Sequence, residues 1–190
     1  ARLRVKYVLK KQKVLIGFNE KLSHFLTNMD SCPVLPKKLS DLIKPLQDLF
    51  LKLSIREQIP QIEYASNQIR HILVLRILQS LTKEDEIILK DFQDLNEIEF
   101  WIQTKGYDTV KPLFENTKDY VTYKNKEFNL EFLFNPTGFT QINPFINKIL
   151  IRRVMALLEP KKSDLIFDFF SGIGNFTLPI ATSGANVLAV

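Results

Sequence analysis

The chain has 190 residues, which allows one or two domains. Hydrophobic residues make up 45% of it, 15 of them Phe, enough for a real core, and no uncharged apolar run reaches the roughly eighteen residues that a membrane-spanning helix needs. Lys and Arg outnumber Asp and Glu by 26 to 21, and the resulting +5 permits a polyanionic partner without demanding one.

The chain opens Ala1-Arg2-Leu3-Arg4-Val5-Lys6, where charges alternate with apolar residues from the first position. That is not a signal-peptide layout. It lacks an initiator Met and starts inside a strand-like alternation, so a longer natural N-terminus is expected. Residues 2–9 and Val14 to Phe18, joined by Lys10-Lys11-Gln12-Lys13, predict a hairpin. Its cations Arg2, Arg4, Lys6, Lys10, Lys11, Lys13 and Lys21 meet Glu20 alone among acids in that stretch. A solvated face and an RNA-contacting face explain this equally well. Cys32 is the chain's one cysteine, so no intrachain disulfide forms; a reducing compartment, and with it a cytoplasmic location, is expected.

After Cys32-Pro33-Val34-Leu35-Pro36, residues 39–53 place Leu39, Leu42, Ile43, Leu46, Leu49 and Phe50 at helical spacing, with Ser40 and Asp41 as polar start residues. Ile62 to Ser66 and Ile72 to Leu78 read as strands. Thr82-Lys83-Glu84-Asp85 predicts a capping-box start for a helix running to about Asn96. Glu99 to Thr104 and Tyr120 to Phe134 supply further strands. Residues 1–135 thus predict an α+β unit of antiparallel strands and two helices, ending at the break Pro136-Thr137-Gly138. His24 and His71 share no metal-ligand spacing and read as structural.

Beyond the break, Asn143 begins an amphipathic helix through Ile146, Ile149, Leu150, Val154, Leu157 and Leu158. Leu165-Ile166-Phe167 then reads as a buried parallel strand, Phe176 to Thr182 as a helix and Val187 to Val190 as a second strand. Residues 136–190 are therefore expected to open an α/β doubly wound sheet. The strand-to-helix loop is Asp168-Phe169-Phe170-Ser171-Gly172-Ile173-Gly174-Asn175-Phe176, with the D-x-x-x-G-x-G spacing of an S-adenosylmethionine loop. A dinucleotide loop would put a third glycine where Thr177 stands. An ordinary turn with glycines for geometry remains open at this point.

Three segments carry a resemblance. Phe139-Thr140-Gln141-Ile142-Asn143, a helix containing Asn147, and the Asp168 to Pro179 segment together resemble the RNA uracil-C5 methyltransferases, in which an F-x-Q-x-N segment precedes a D-x-F-x-G-x-G-N-F-[ST]-L-P loop. Asp30-Ser31-Cys32-Pro33 is similar to the place where the ribosomal-RNA branch carries the last of four cysteines of an iron–sulfur cluster. In order and spacing the resemblance runs from Arg2 to Val190 and is greatest to the 23S ribosomal RNA group; the family usually has Cys where Ser171 stands.

The resemblance implies a central α+β substrate-side domain followed by the start of a Rossmann-like, class I methyltransferase domain. It implies Gln141, Phe170 and Asn175 as S-adenosylmethionine contacts, Asp168 as organiser of the loop or receiver of the amino group, and Gly172 and Gly174 as the turn. Each polar residue also has a cap or turn reading, and Phe170 a core reading. Cys32 has three: a catalytic thiol, which lacks a base nearby in sequence; a plain buried cysteine; and a ligand of a [4Fe-4S] cluster whose other ligands would precede Ala1. The implied activity is methylation of uridine C5 in 23S ribosomal RNA, by thiolate addition at C6, methyl transfer to C5 and proton removal. The nucleophile and base are expected after Val190, so the chain alone should be inactive and no catalytic residue is assigned within it. A non-catalytic RNA-binding module, a transfer-RNA-type enzyme and a methyltransferase for another substrate are the alternatives.

Overall fold

Alternation along Arg2–Val8 (β1) turns Leu3 and Val5 inward and leaves Arg2, Arg4 and Lys6 exposed. Lys13–Asn19 (β2) pairs with it antiparallel, so the expected hairpin is present. The computed structural model describes residues 1–67, 69–115, 118–141 and 143–190. A short third strand, Leu26–Asn28 (β3), extends the pair; three residues carry too little alternation to be seen in sequence.

The helix Lys37–Lys52 (α1) begins directly after Pro36 with no side-chain cap. Ser40 and Asp41, expected to start it, lie inside it. The Ser40 hydroxyl instead accepts the Cys32 N–H at 2.9 Å, tying the preceding loop to the helix. Gln61–Ser66 (β4) and His71–Arg76 (β5) form an antiparallel pair. Helix Lys83–Asn96 (α2) has the reciprocal capping box, in which the Thr82 hydroxyl accepts the Asp85 N–H and Asp85 accepts the Thr82 N–H. Asp85 is buried and also takes the Ser54 N–H at 2.7 Å. Burial pushes its pKa up, but the hydrogen bonds from Ser54 and Thr82 outweigh this and hold it below the ordinary carboxylate value.

After α2 comes Glu99–Gln103 (β6), parallel to β5, and then the two-residue edge strand Lys111–Pro112 (β7). The sheet is therefore mixed rather than antiparallel throughout: α2 is a crossover, which returns the chain in its original direction. Strand order is β3-β2-β1-β4-β5-β6-β7. One face, with Leu3, Val14, Ile16, Ile62 and Leu75, joins Leu39, Ile43, Leu46 and Phe50 of α1 in a single core. His71 is structural as read: its Nδ1 lies 2.6 Å from the Tyr64 hydroxyl. Burial and then Lys38 lower its pKa, against Glu97.

Residues 1–119 form one compact unit and residues 120–190 a second. The break at Pro136-Thr137-Gly138 is a tight turn inside the second unit, closed by the Gly138 N–H to the Asn135 carbonyl at 2.7 Å. Before it, Val121–Asn125 (β8) and Leu130–Phe134 (β9) form a separate antiparallel hairpin. Glu127, in its turn, is ion-paired with Arg152 at 2.8 Å. Arg152 belongs to helix Pro144–Leu158 (α3), capped by Asn143, whose side chain accepts the N–H groups of Phe145 and Ile146.

Leu165–Asp168 (β10), helix Thr177–Ala181 (α4) and Asn186–Ala189 (β11) complete the second unit, with β10 parallel to β11. That is the expected strand-helix-strand order. One expectation about burial fails. Leu165 and Phe167 of β10 are exposed, because a two-stranded sheet cannot cover both faces of its strands. On α3 the stripe Ile146, Ile149, Leu150, Leu157 and Leu158 also faces solvent, and the buried residues are Asn147 and Ile151. At 5 residues α4 is too short to cover a helix of 15.

Candidate functional site

The loop from Asp168 to Phe176 is held at its base by backbone bonds to the neighbouring strand. The Ser171 N–H donates to the Val190 carbonyl and the Val190 N–H to that of Asp168, each at 3.0 Å. The Asp168 carboxylate accepts the Thr177 hydroxyl at 2.5 Å, which ties the strand end to the first residue of α4. Gly172 and Gly174 have φ of +57° and +82°, so both occupy the left-handed region where a Cβ is strained. Around Gly172 a Cβ would meet nothing within 4 Å; the loop is open there.

Phe170 adopts φ +64° without being glycine, and its side chain is 98% exposed. The core reading of this residue is thereby overturned. A strained backbone that holds a large aromatic ring in water stabilises nothing in the fold, and such strain collects at ligand sites.

Asn147 and Asn175 join α3 to the loop. Asn147 Nδ2 donates to Asn175 Oδ1 at 2.8 Å, and Asn175 Nδ2 donates to Asn147 Oδ1 at 2.9 Å. Each amide retains one N–H and one lone pair. The Tyr123 hydroxyl is buried and has no well-formed hydrogen bond among the described residues; burial raises its pKa, and its weaker interaction with the Asn147 side chain opposes the rise. A buried hydroxyl with an unfilled hydrogen bond beside an amide pair marks a place where a polar ligand gains hydrogen bonds.

Gln141 is exposed, and Ile142 of the same segment lies outside the described residues. The turn before this segment approaches the loop: a Cβ on Gly138 would lie 3.7 Å from Ile173 Cγ2. Thus Gln141, Asp168, Phe170, Gly172, Gly174 and Asn175 all belong to the second unit. Asn147 and Tyr123 were not among the candidates. The first was named only as part of the helix in the resemblance, and nothing local marked the second.

Cys32 belongs to the first unit, in the buried core. Among the described residues no three His, Cys, Asp or Glu side chains gather into a group able to hold a metal ion. Nor is any helix among them long and apolar enough to cross a membrane.

A family model described as tRNA (Uracil-5-)-methyltransferase matches residues 2–190. The chain is 46% identical over 188 residues to the 23S rRNA (uracil(1939)-C(5))-methyltransferase RlmD of Nitrosospira multiformis, covering 99% of the chain and 43% of that protein. Against the protein of the same name from Cupriavidus pinatubonensis it is 45% identical, covering 100% and 41%. The chain therefore spans less than half the length of these relatives. In fold it is similar to a Pyrococcus abyssi tRNA (uracil-54, C5)-methyltransferase crystallised with S-adenosyl-L-homocysteine: the TM-score is 0.61 at 16% identity, over 100% of this chain and 47% of that one.

Proposed function

The chain belongs to the tRNA (Uracil-5-)-methyltransferase family, and from that premise we propose that the full-length protein is an S-adenosylmethionine-dependent enzyme that forms 5-methyluridine in 23S ribosomal RNA. Ribosomal rather than transfer RNA is favoured by the 46% identity to a protein named for 23S rRNA. The observation that carries the cofactor reading is the second unit's loop: an exposed Phe170 on left-handed backbone, an open Gly172 and an amide pair beside a buried hydroxyl. In this reading residues 120–190 open a doubly wound methyltransferase domain and residues 1–119 form the substrate-side domain. The location is cytoplasmic.

S-Adenosylmethionine supplies an electrophilic methyl on a sulfonium, and the residues of the loop bind and orient it. Gln141 and Asn175 offer a donor and an acceptor each to the methionine carboxylate and ammonium. Asp168, fixed by Thr177, sets the loop and lends a negative charge to the ammonium side. The ring of Phe170 presents a π face to the cationic sulfonium or the adenine. Gly172 leaves the room for the ligand to press on backbone. The thiolate that adds to C6 and the base that takes the C5 proton are assigned to the protein outside this chain. With full-length protein, labelled S-adenosylmethionine and unmethylated 23S rRNA, nucleoside mass spectrometry should find 5-methyluridine. Gln141→Ala should weaken the apparent affinity for the methyl donor about tenfold, the worth of one charge-assisted hydrogen bond. Labelled transfer RNA with unlabelled ribosomal RNA would move the substrate to the other branch; no 5-methyluridine in either rejects the activity.

For Cys32 we propose one ligand position of a [4Fe-4S] cluster. One buried thiol meets the need for a shielded thiolate but not for four, so the other three come from the rest of the protein. Iron content of full-length Cys32→Ser protein, equal to that of wild type, would exclude it.

A further inference from the structure

The sheet of the first unit has a second face, opposite the core. Cross-strand register places Arg4, Gln61, Arg76 and Gln103 in one row over β1, β4, β5 and β6 on that face, since directly opposed residues point the same way. Lys6 follows two residues along β1, and Lys13 stands opposite Val8. Arg4, Lys6, Lys13 and Arg76 are exposed, whereas Gln61 between the arginines and Gln103 beyond Arg76 are buried.

Among the described residues no carboxylate is ion-paired with this line; the ion pairs are made by other cations. Glu63, on the same face, is held by Arg2 at 3.1 Å, so Arg2 stands outside the line. Strand spacing puts Arg76 and Arg4 about 10 Å apart, Lys6 about 7 Å further along β1, and Lys13, on β2, about 8 Å beyond Lys6. Four cations on one diagonal repel one another, and the repulsion is relieved by a linear polyanion.

We propose that this diagonal is the track for the phosphodiester backbone of a single strand of the RNA substrate. The proposal rests on the RNA reading above and adds to it the surface and the residues. One line of exposed cations over β5, β1 and β2 matches one backbone and offers no element to enter a groove. The line carries no aromatic side chain for base stacking, so its contribution is to affinity and register rather than to sequence choice.

The test is the salt dependence of RNA-oligonucleotide binding by the full-length protein. Four phosphate contacts contribute about 2.8 to the slope of log K against log salt, at about 0.7 per contact for single strands. Arg4→Gln with Arg76→Gln should lower the slope by about 1.4 and weaken binding equally for unrelated oligonucleotide sequences. Lys37→Gln with Lys44→Gln, on α1 over the other face, changes the charge as much and should leave the slope alone. If the arginine pair does not fold, as judged by circular dichroism, Lys6→Gln with Lys13→Gln gives the same readout. An unchanged slope in a folded variant overturns the track while leaving the RNA reading intact. Wild-type protein that binds no RNA strikes the RNA reading itself. Loss of binding to anionic lipid vesicles in the variants, with RNA binding unaltered, assigns the surface to a membrane and also overturns the track.

Discussion

Asn147→Ala is expected to weaken S-adenosylmethionine binding about as much as Asn175→Ala, although only Asn175 is placed in contact with the ligand. The two side chains form a closed pair, each donating to the other at 2.8 and 2.9 Å. Asn147 is buried on α3, a 15-residue helix, whereas Asn175 sits on a loop ahead of a helix of only 5 residues. The partner on the helix therefore positions the one on the loop. Removing Asn147 leaves both polar atoms of Asn175 unpaired, at about 1–3 kcal/mol, and frees its rotamer. Expressed as affinity that is roughly 5- to 150-fold. Isothermal titration of full-length single and double variants checks it. If positioning is the mechanism, the double variant is no weaker than the worse single, since the second truncation removes an interaction already lost. Fully additive losses would mean that the residues act separately.

What could be read in the sequence was what is local. The capping box at Thr82 and Asp85 lies within one turn of α2, and the hairpin of β1 and β2 is signalled by alternation along β1 and an apolar run in β2 after a polar turn. The glycine loop was equally legible, since a tight turn between strand and helix demands residues that tolerate φ of +57° and +82°. Pairing over distance was not legible. That β6 lies parallel to β5 follows from how α2 crosses the sheet, which periodicity does not encode. The Asn147–Asn175 pair spans 28 residues, and in sequence each looks like an ordinary cap or surface amide. Ser40 misled for a different reason. It has the chemistry of a helix start, but Pro36 already fixes the backbone there, leaving the Ser40 hydroxyl to hold Cys32. Periodicity shows the apolar stripe of α3 but not its exposure, because burial needs a partner and periodicity reports only one surface.

The largest loss of stability is expected from Gly17→Ala. Gly17 lies mid-strand in β2, between Arg4 of β1 and Asn28 of β3. A Cβ there would lie 1.8 Å from the Thr27 carbonyl oxygen and 3.0 Å from its carbon, both backbone atoms. No rotamer relieves that overlap, so β3 must move. Its position is set by the register Gly17↔Asn28, by the Met29 N–H to Ile16 at 3.2 Å, and by Gln47 of α1, which donates to the Met29 carbonyl at 2.8 Å. Shifting β3 thus also disturbs the docking of α1 and the loop that carries Cys32. Overpacking of this kind costs about 3 kcal/mol or more, which in a protein of this size lowers Tm by roughly 6–12 °C. Gly172→Ala is the contrast. Its Cβ meets nothing within 4 Å, so only the left-handed backbone, φ +57°, is penalised, at about 1–2 kcal/mol. Thermal melts of both variants against wild type decide the matter. A Gly17→Ala protein melting within a degree of wild type would mean that β3 is not fixed against β2, and that the segment leading to Cys32 is held by α1 alone.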